Sequence, residues 1–272
     1  MTAQAADDVS QRPATGDAGH SHAAPAVRYA ALGDSSTEGM CDPDGNGGWV
    51  GWSQRLAGRM AQVHGSVQWA NLGVRGLTCR QILTTQLAPA VALQPTVATV
   101  FGGMNDLLRF VRPVDAVLAD LTTMWTTLQA TGATVATLTL PDLGEVVSIA
   151  RPLRKRVAAL NEGIRASADH GVIVGDLAAS PIATDPRLWA EDRLHANAEG
   201  HRRIAEGLAH ALGLPASDWA APLDGPSRQW TRDQDRDWRR THLYPWVGRR
   251  LRRTSSGDGM QARHREWVTV TA

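Results

Sequence analysis

Short, mainly apolar runs separated by longer amphipathic ones constrain this chain more than any other feature. Val27–Leu32, Val67–Leu72, Val97–Phe101, Thr134–Leu140 and Val172–Val174 read as strands covered on both faces. Between them the apolar residues recur at helical spacing. Trp52, Leu56, Met60 and Val63 share one helix face, as do Val114, Val117, Leu121, Trp125 and Leu128. A third face carries Leu153, Val157, Leu160 and Ile164, and a last helix carries Ile204, Leu208 and Leu212. Strands alternating with helices require right-handed crossovers, hence a parallel sheet with helices on both sides. The expectation is a three-layer α/β domain over residues 27–214, with five strands.

The flanks read differently. Residues 1–26 are rich in Ala, Asp, Gly and Ser and predict a disordered lead-in, on which His20 and His22 are solvated polar residues rather than a metal site. They lack the basic start and apolar stretch of a secretory signal. With only two cysteines, Cys41 and Cys79, expected as unpaired thiols, the chain is expected in the cytoplasm. A net charge of +1 gives no pull toward nucleic acid, and no apolar run is long enough to span a membrane. Residues 215–272 are rich in Trp and Arg. There Trp238, Leu243, Trp246, Val247 and Leu251 predict a helix packed on the α/β domain, its arginines outward, followed after Ser255 by a trailing extended segment.

Ligands of an open parallel sheet bind beyond the carboxyl ends of its strands. Polar segments occupy those ends here. The first strand runs into Gly33-Asp34-Ser35-Ser36, the second into Asn71-Leu72-Gly73-Val74-Arg75-Gly76 and the third into Gly102-Gly103-Met104-Asn105-Asp106. Asp192-Arg193-Leu194-His195 lies just before the final helix. No Gly-x-Ser-x-Gly elbow is present, which argues against the α/β-hydrolase fold. Asp42-Pro43-Asp44-Gly45-Asn46-Gly47 opens like a calcium loop, but its twelfth position is Ser53 instead of a bidentate glutamate, so a plain turn is expected and no metal or cofactor.

Four such segments in this order resemble the SGNH hydrolases, the GDSL esterase and lipase family, over roughly residues 27–212. The resemblance implies a flavodoxin-like sheet of order 2-1-3-4-5 and hydrolysis of carboxylic esters through an acyl-serine. It makes Ser35 the nucleophile, since a serine hydroxyl needs a neighbouring base to take its proton. His195 is then that base, and Asp192, three residues before it, the group that orients its ring. His64, His170, His201 and His210 fall on helices or helix ends without such context. The oxyanion donors it implies are the backbone N–H groups of Ser35 and Gly76, chosen over Gly73, and the side-chain amide of Asn105. Ser36-Thr37-Glu38-Gly39 departs from relatives that carry leucine after the serine, which leaves lipid preference open. The substrate expected is a small-molecule, lipid or carbohydrate ester. Alternatives are a non-catalytic binding protein on the same fold, or a thioesterase or acyltransferase using the same triad.

Overall fold

The computed structural model describes residues 27–109, 112–252 and 254–272, for Arg250 the backbone alone. The lead-in with His20 and His22 lies outside the described residues. Strands β1 (Val27–Gly33), β2 (Ser66–Asn71), β3 (Val97–Phe101), β4 (Thr134–Leu138) and β5 (Ile173–Gly175) pair in parallel in the order 2-1-3-4-5. Among the described residues the sheet has a sixth strand, β6 (His264–Thr271), antiparallel to the outer edge of β2. Five strands are therefore one too few. The segment after Ser255 does not trail: Val268, Thr269, Val270 and Thr271 are all β-branched residues that favour a pleated surface, and β2 offers them an unpaired edge.

Helices α1 (Gly51–His64) and α5 (Ala198–Ala211) pack together on one face of the sheet. Helices α2 (Cys79–Ala92), α3 (Val114–Ala130) and α4 (Arg154–Ala166) cover the other. The stripes read from sequence point inward: Trp52, Leu56 and Met60 from α1, Leu121 and Leu128 from α3, and Leu160 and Ile164 from α4 are buried. Val63, at the end of its stripe, is 48% exposed.

The tail carries helices Arg232–Trp238 and Tyr244–Leu251, joined by a π turn over Arg239–Leu243. The extra residue of a π turn shifts the phase of the helix. The single stripe expected there is broken accordingly: Leu251 is 81% exposed, Trp238 and Trp246 are half-buried, and Arg249 faces the cavity described below instead of pointing outward. No helix among the described residues is long and apolar enough to cross a membrane.

Candidate active site

β1 ends where strand order reverses, and the turn after it is fixed by buried hydrogen bonds. Gln86 of α2 reaches Gly33 with both ends of its amide, accepting from the Gly33 N–H and donating to its carbonyl at 2.8 Å each. A side chain on Gly33 would collide with Thr37 Oγ1 at 2.1 Å and the Phe101 carbonyl at 2.4 Å, so only glycine lets β1 and β3 close on the turn. Asp34 caps the short helix Ser35–Glu38 by accepting from the Ser36 N–H. Asn71, at the end of β2, ties the same helix down by donating to the Thr37 carbonyl at 2.7 Å. Ser35 is thereby held at the first helical position, facing the cleft.

His195 arrives from the other side of the site. Trp189 bridges Ala196, and the Ala190 N–H donates to the His195 carbonyl at 2.8 Å, closing a tight loop ahead of α5. At its tip Arg193 is left-handed, with φ of 57°. That bend lets one Asp192 oxygen accept the backbone N–H groups of Leu194 and His195 at 3.0 Å each, while the other lies 2.6 Å from His195 Nδ1. His195 Nε2 in turn lies 2.9 Å from Ser35 Oγ. Ser35, His195 and Asp192 thus form one continuous line of hydrogen bonds.

Burial raises the Asp192 carboxyl, but the His195 hydrogen bond and charge and the two backbone donors outweigh it and hold the pKa at about 2. A carboxyl depressed from 3.8 stabilises the fold fully above its unfolded value and loses that contribution as pH falls through its folded one. Stability to urea should therefore drop between pH 4 and 2 by on the order of 2 kcal/mol from this group. Asp192→Asn should flatten that part of the curve, and an unaltered slope would show that the pair is not formed in solution.

Asn105, on the short helix Met104–Arg109 after β3, is brought to the same cleft. Its Nδ2 donates to Asp34 Oδ2 at 2.9 Å and to the Leu77 carbonyl at 3.1 Å. Asp34, which precedes Ser35 in the first polar segment, has a task that the motif alone does not reveal. It links the Ser35 turn to Asn105, and burial lifts its pKa to about 6 against the Ser36 N–H, the His195 charge and the Asn105 amide. Gly76 also lines the cleft, with φ of 77°. The Gly73 N–H, by contrast, already donates to Asn71 Oδ1 at 2.9 Å. Of the rival histidines, His201 is buried: its Nδ1 accepts from the Trp52 N–H, its Nε2 donates to the Met40 carbonyl, and burial lowers its pKa to about 4. It is a neutral bracket between α5 and α1.

The cleft opens into a cavity of about 420 Å³. Beside the polar groups its walls are apolar, with Leu140, Val147 and Ile182 from the α/β domain facing Trp238, Leu243 and Trp246 from the tail. The tail also closes over Gly76, where an added Cβ would lie 2.0 Å from Ser255 Oγ. Sequence reasoning did not place the tail here, because no spacing rule links Trp238 to a loop 46 residues earlier. The Asp42–Gly47 segment is a hairpin turn. Asp44 accepts from Asn46 and Gly48 N–H groups at 2.8 Å, and Asp42 pairs with Arg55. Cys41 and Cys79 are free thiols.

The family model of the GDSL-like lipase/acylhydrolase family matches residues 31–203. No curated protein matches the chain by sequence. Among solved structures it is similar to the lipase Lip_vut3 from a goat rumen metagenome, at 20% identity and a TM-score of 0.58, covering 68% of this chain and 97% of that one. Axe2, an acetylxylan esterase from Geobacillus stearothermophilus, is similar at 17% identity and a TM-score of 0.58, over 72% of this chain and 97% of the other. LAE5, an α/β hydrolase enzyme from the metagenome of Lake Arreo, is similar at 21% identity and a TM-score of 0.56, over 69% and 96%.

Proposed function

Because the chain belongs to the GDSL-like lipase/acylhydrolase family, we propose that it hydrolyses carboxylic esters with an apolar acyl chain, through an acyl-enzyme on Ser35. The observation that carries the proposal is the line of hydrogen bonds from Ser35 Oγ through His195 to Asp192, at 2.9 and 2.6 Å. Ser35 Oγ attacks the ester carbonyl carbon as its proton passes to His195 Nε2, and Asp192 steadies the imidazolium. The oxyanion is met by the backbone N–H groups of Ser35 and Gly76 and by the Asn105 amide, which exchanges its bond to the Leu77 carbonyl for one to substrate. Collapse expels the alcohol, protonated by His195. Water activated by the same histidine then releases the acid and restores Ser35.

The cavity supports the substrate class. A space of about 420 Å³ walled by Leu140, Val147, Ile182 and Leu243 exceeds what an acetyl group needs and favours a longer hydrocarbon chain. Turnover of p-nitrophenyl esters from acetate to laurate tests this, with kcat/KM expected to peak at a medium chain length. A steep preference for acetate, with release of acetate from acetylated xylan, would replace it by a deacetylase reading. Turnover of acyl thioesters in place of oxygen esters would favour a thioesterase.

Asn105→Ala should lower kcat by about 10²–10³ while KM changes little, the usual cost of one oxyanion donor. The same change leaves Asp34 Oδ2 without its amide donor, so a modest loss of stability accompanies it. Undiminished kcat would reduce Asn105 to an anchor for Asp34.

A further inference from the structure

We propose that Trp238, from the C-terminal extension outside the matched residues, is a positioning residue for His195, acting through the Asp192 backbone carbonyl and Arg193; this rests on the proposed role of His195. The loop that carries Asp192 and His195 is only a few residues long and bends at a left-handed, non-glycine residue. Such a bend costs energy and persists only where the surroundings enforce it. The tail supplies the enforcement. The Trp238 indole N–H donates to the Asp192 backbone carbonyl at 2.9 Å. Arg193, 5% exposed, lies with its guanidinium carbon 3.9 Å from the centre of the Trp230 ring and 4.9 Å from that of Trp238. Its Nη1 reaches Asp235 at 2.6 Å.

These contacts hold the loop at its backbone and at its one buried cation. The guanidinium gains two aromatic faces and a carboxylate in a site shielded from water, where each is stronger than at the surface. Asp192 immediately precedes Arg193 and His195 follows it by two residues, so loosening the grip moves the imidazole relative to Ser35 Oγ. A misplacement of such a group by about 1 Å lowers turnover by about 10²-fold.

The test compares Trp238→Phe, which keeps a ring over Arg193 but removes the N–H, with wild type in the full chain. Trp238→Phe should lower kcat on p-nitrophenyl butyrate about 10- to 100-fold with KM and Tm nearly unchanged. The rate of covalent labelling by a fluorophosphonate, which needs the Ser35–His195 pair but not the acyl pocket, should fall in parallel. In proton NMR the deshielded Nδ1–H resonance of His195 should shift or broaden. Arg193→Met should give the same signature by removing the stack and the ion pair.

Unchanged kcat in Trp238→Phe overturns the proposal. So does a rise in KM alone, which would make Trp238 merely a cavity wall, or a loss of Tm in step with kcat while each folded molecule turns over normally. Wild type without Ser35-dependent turnover would instead sink the hydrolase reading. The His195 resonance, compared between wild type and Trp238→Phe, would then decide the positioning role by itself.

Discussion

Ser35→Ala is expected to leave no more than about one part in 10⁴–10⁶ of wild-type kcat, in a protein that melts at the same temperature. The attacking atom is removed, and what survives is the catalysis that binding and oxyanion donors supply without it. Stability should hold, because the turn does not depend on the hydroxyl. Gln86 pins Gly33, Asp34 caps the short helix and Asn71 anchors Thr37, whereas Ser35 Oγ meets His195 Nε2. A fluorophosphonate should add one phosphonyl group to wild type at Ser35, with loss of fluoride, and nothing to the variant. His195→Ala should fall to a similar level, and the double variant no further, because the two act as one unit. Labelling at another serine, or an active Ser35→Ala, would remove the nucleophile assignment.

The parts of this molecule that were legible in the sequence are those fixed by local pattern. The five parallel strands announce themselves as apolar runs between helical stripes, and the buried faces of α1, α3 and α4 follow from spacing alone. The polar segments holding Ser35 and Asn105 stood out at the carboxyl ends of strands, and Ser35, Asn105 and His195 were singled out within their segments by the resemblance to the SGNH hydrolases. What stayed hidden depends on distance in sequence. Gln86 holds Gly33 across 53 residues, Asn71 holds Thr37 across 34 and Trp238 holds Asp192 across 46, and none of these pairs leaves a trace in periodicity. β6 escaped notice for a different reason. An edge strand buries little, so Arg265 and Glu266 stay exposed and the two-residue alternation is blurred. The π turn at Arg239–Leu243 likewise breaks a stripe that would have been regular in an uninterrupted helix.

The second large effect concerns the tail as a whole. A chain ending at Pro215 should melt at least about 10 °C lower than the full protein or fail to remain soluble. Removing β6 strips the ladder from β2 and uncovers Trp69, now 2% exposed, with its ring centre 4.9 Å from that of His264 at a tilt of 42°. Burial of an indole alone involves about 150–250 Å² of surface, worth several kcal/mol at about 25 cal/mol per Å². Arg203, 7% exposed, loses the Trp219 and Ala221 carbonyls that accept its Nη1 at 2.7 and 2.6 Å, and Arg193 loses Asp235. Arg203 keeps its pairing with Glu199, so each hydrogen bond lost to these charged groups contributes at most about 1.5–3 kcal/mol. At about 2–4 °C per kcal/mol for a domain of this size, a loss of 4–5 kcal/mol gives roughly the stated shift. The bared edge of β2 is in addition a template for pairing with another chain, which is why precipitation is the alternative expected result. The contrary picture is a mobile basic arm that reaches for an anionic partner. It requires the shortened protein to melt unchanged and to hydrolyse esters at the full rate, and scanning calorimetry with the p-nitrophenyl assay on both proteins separates the two.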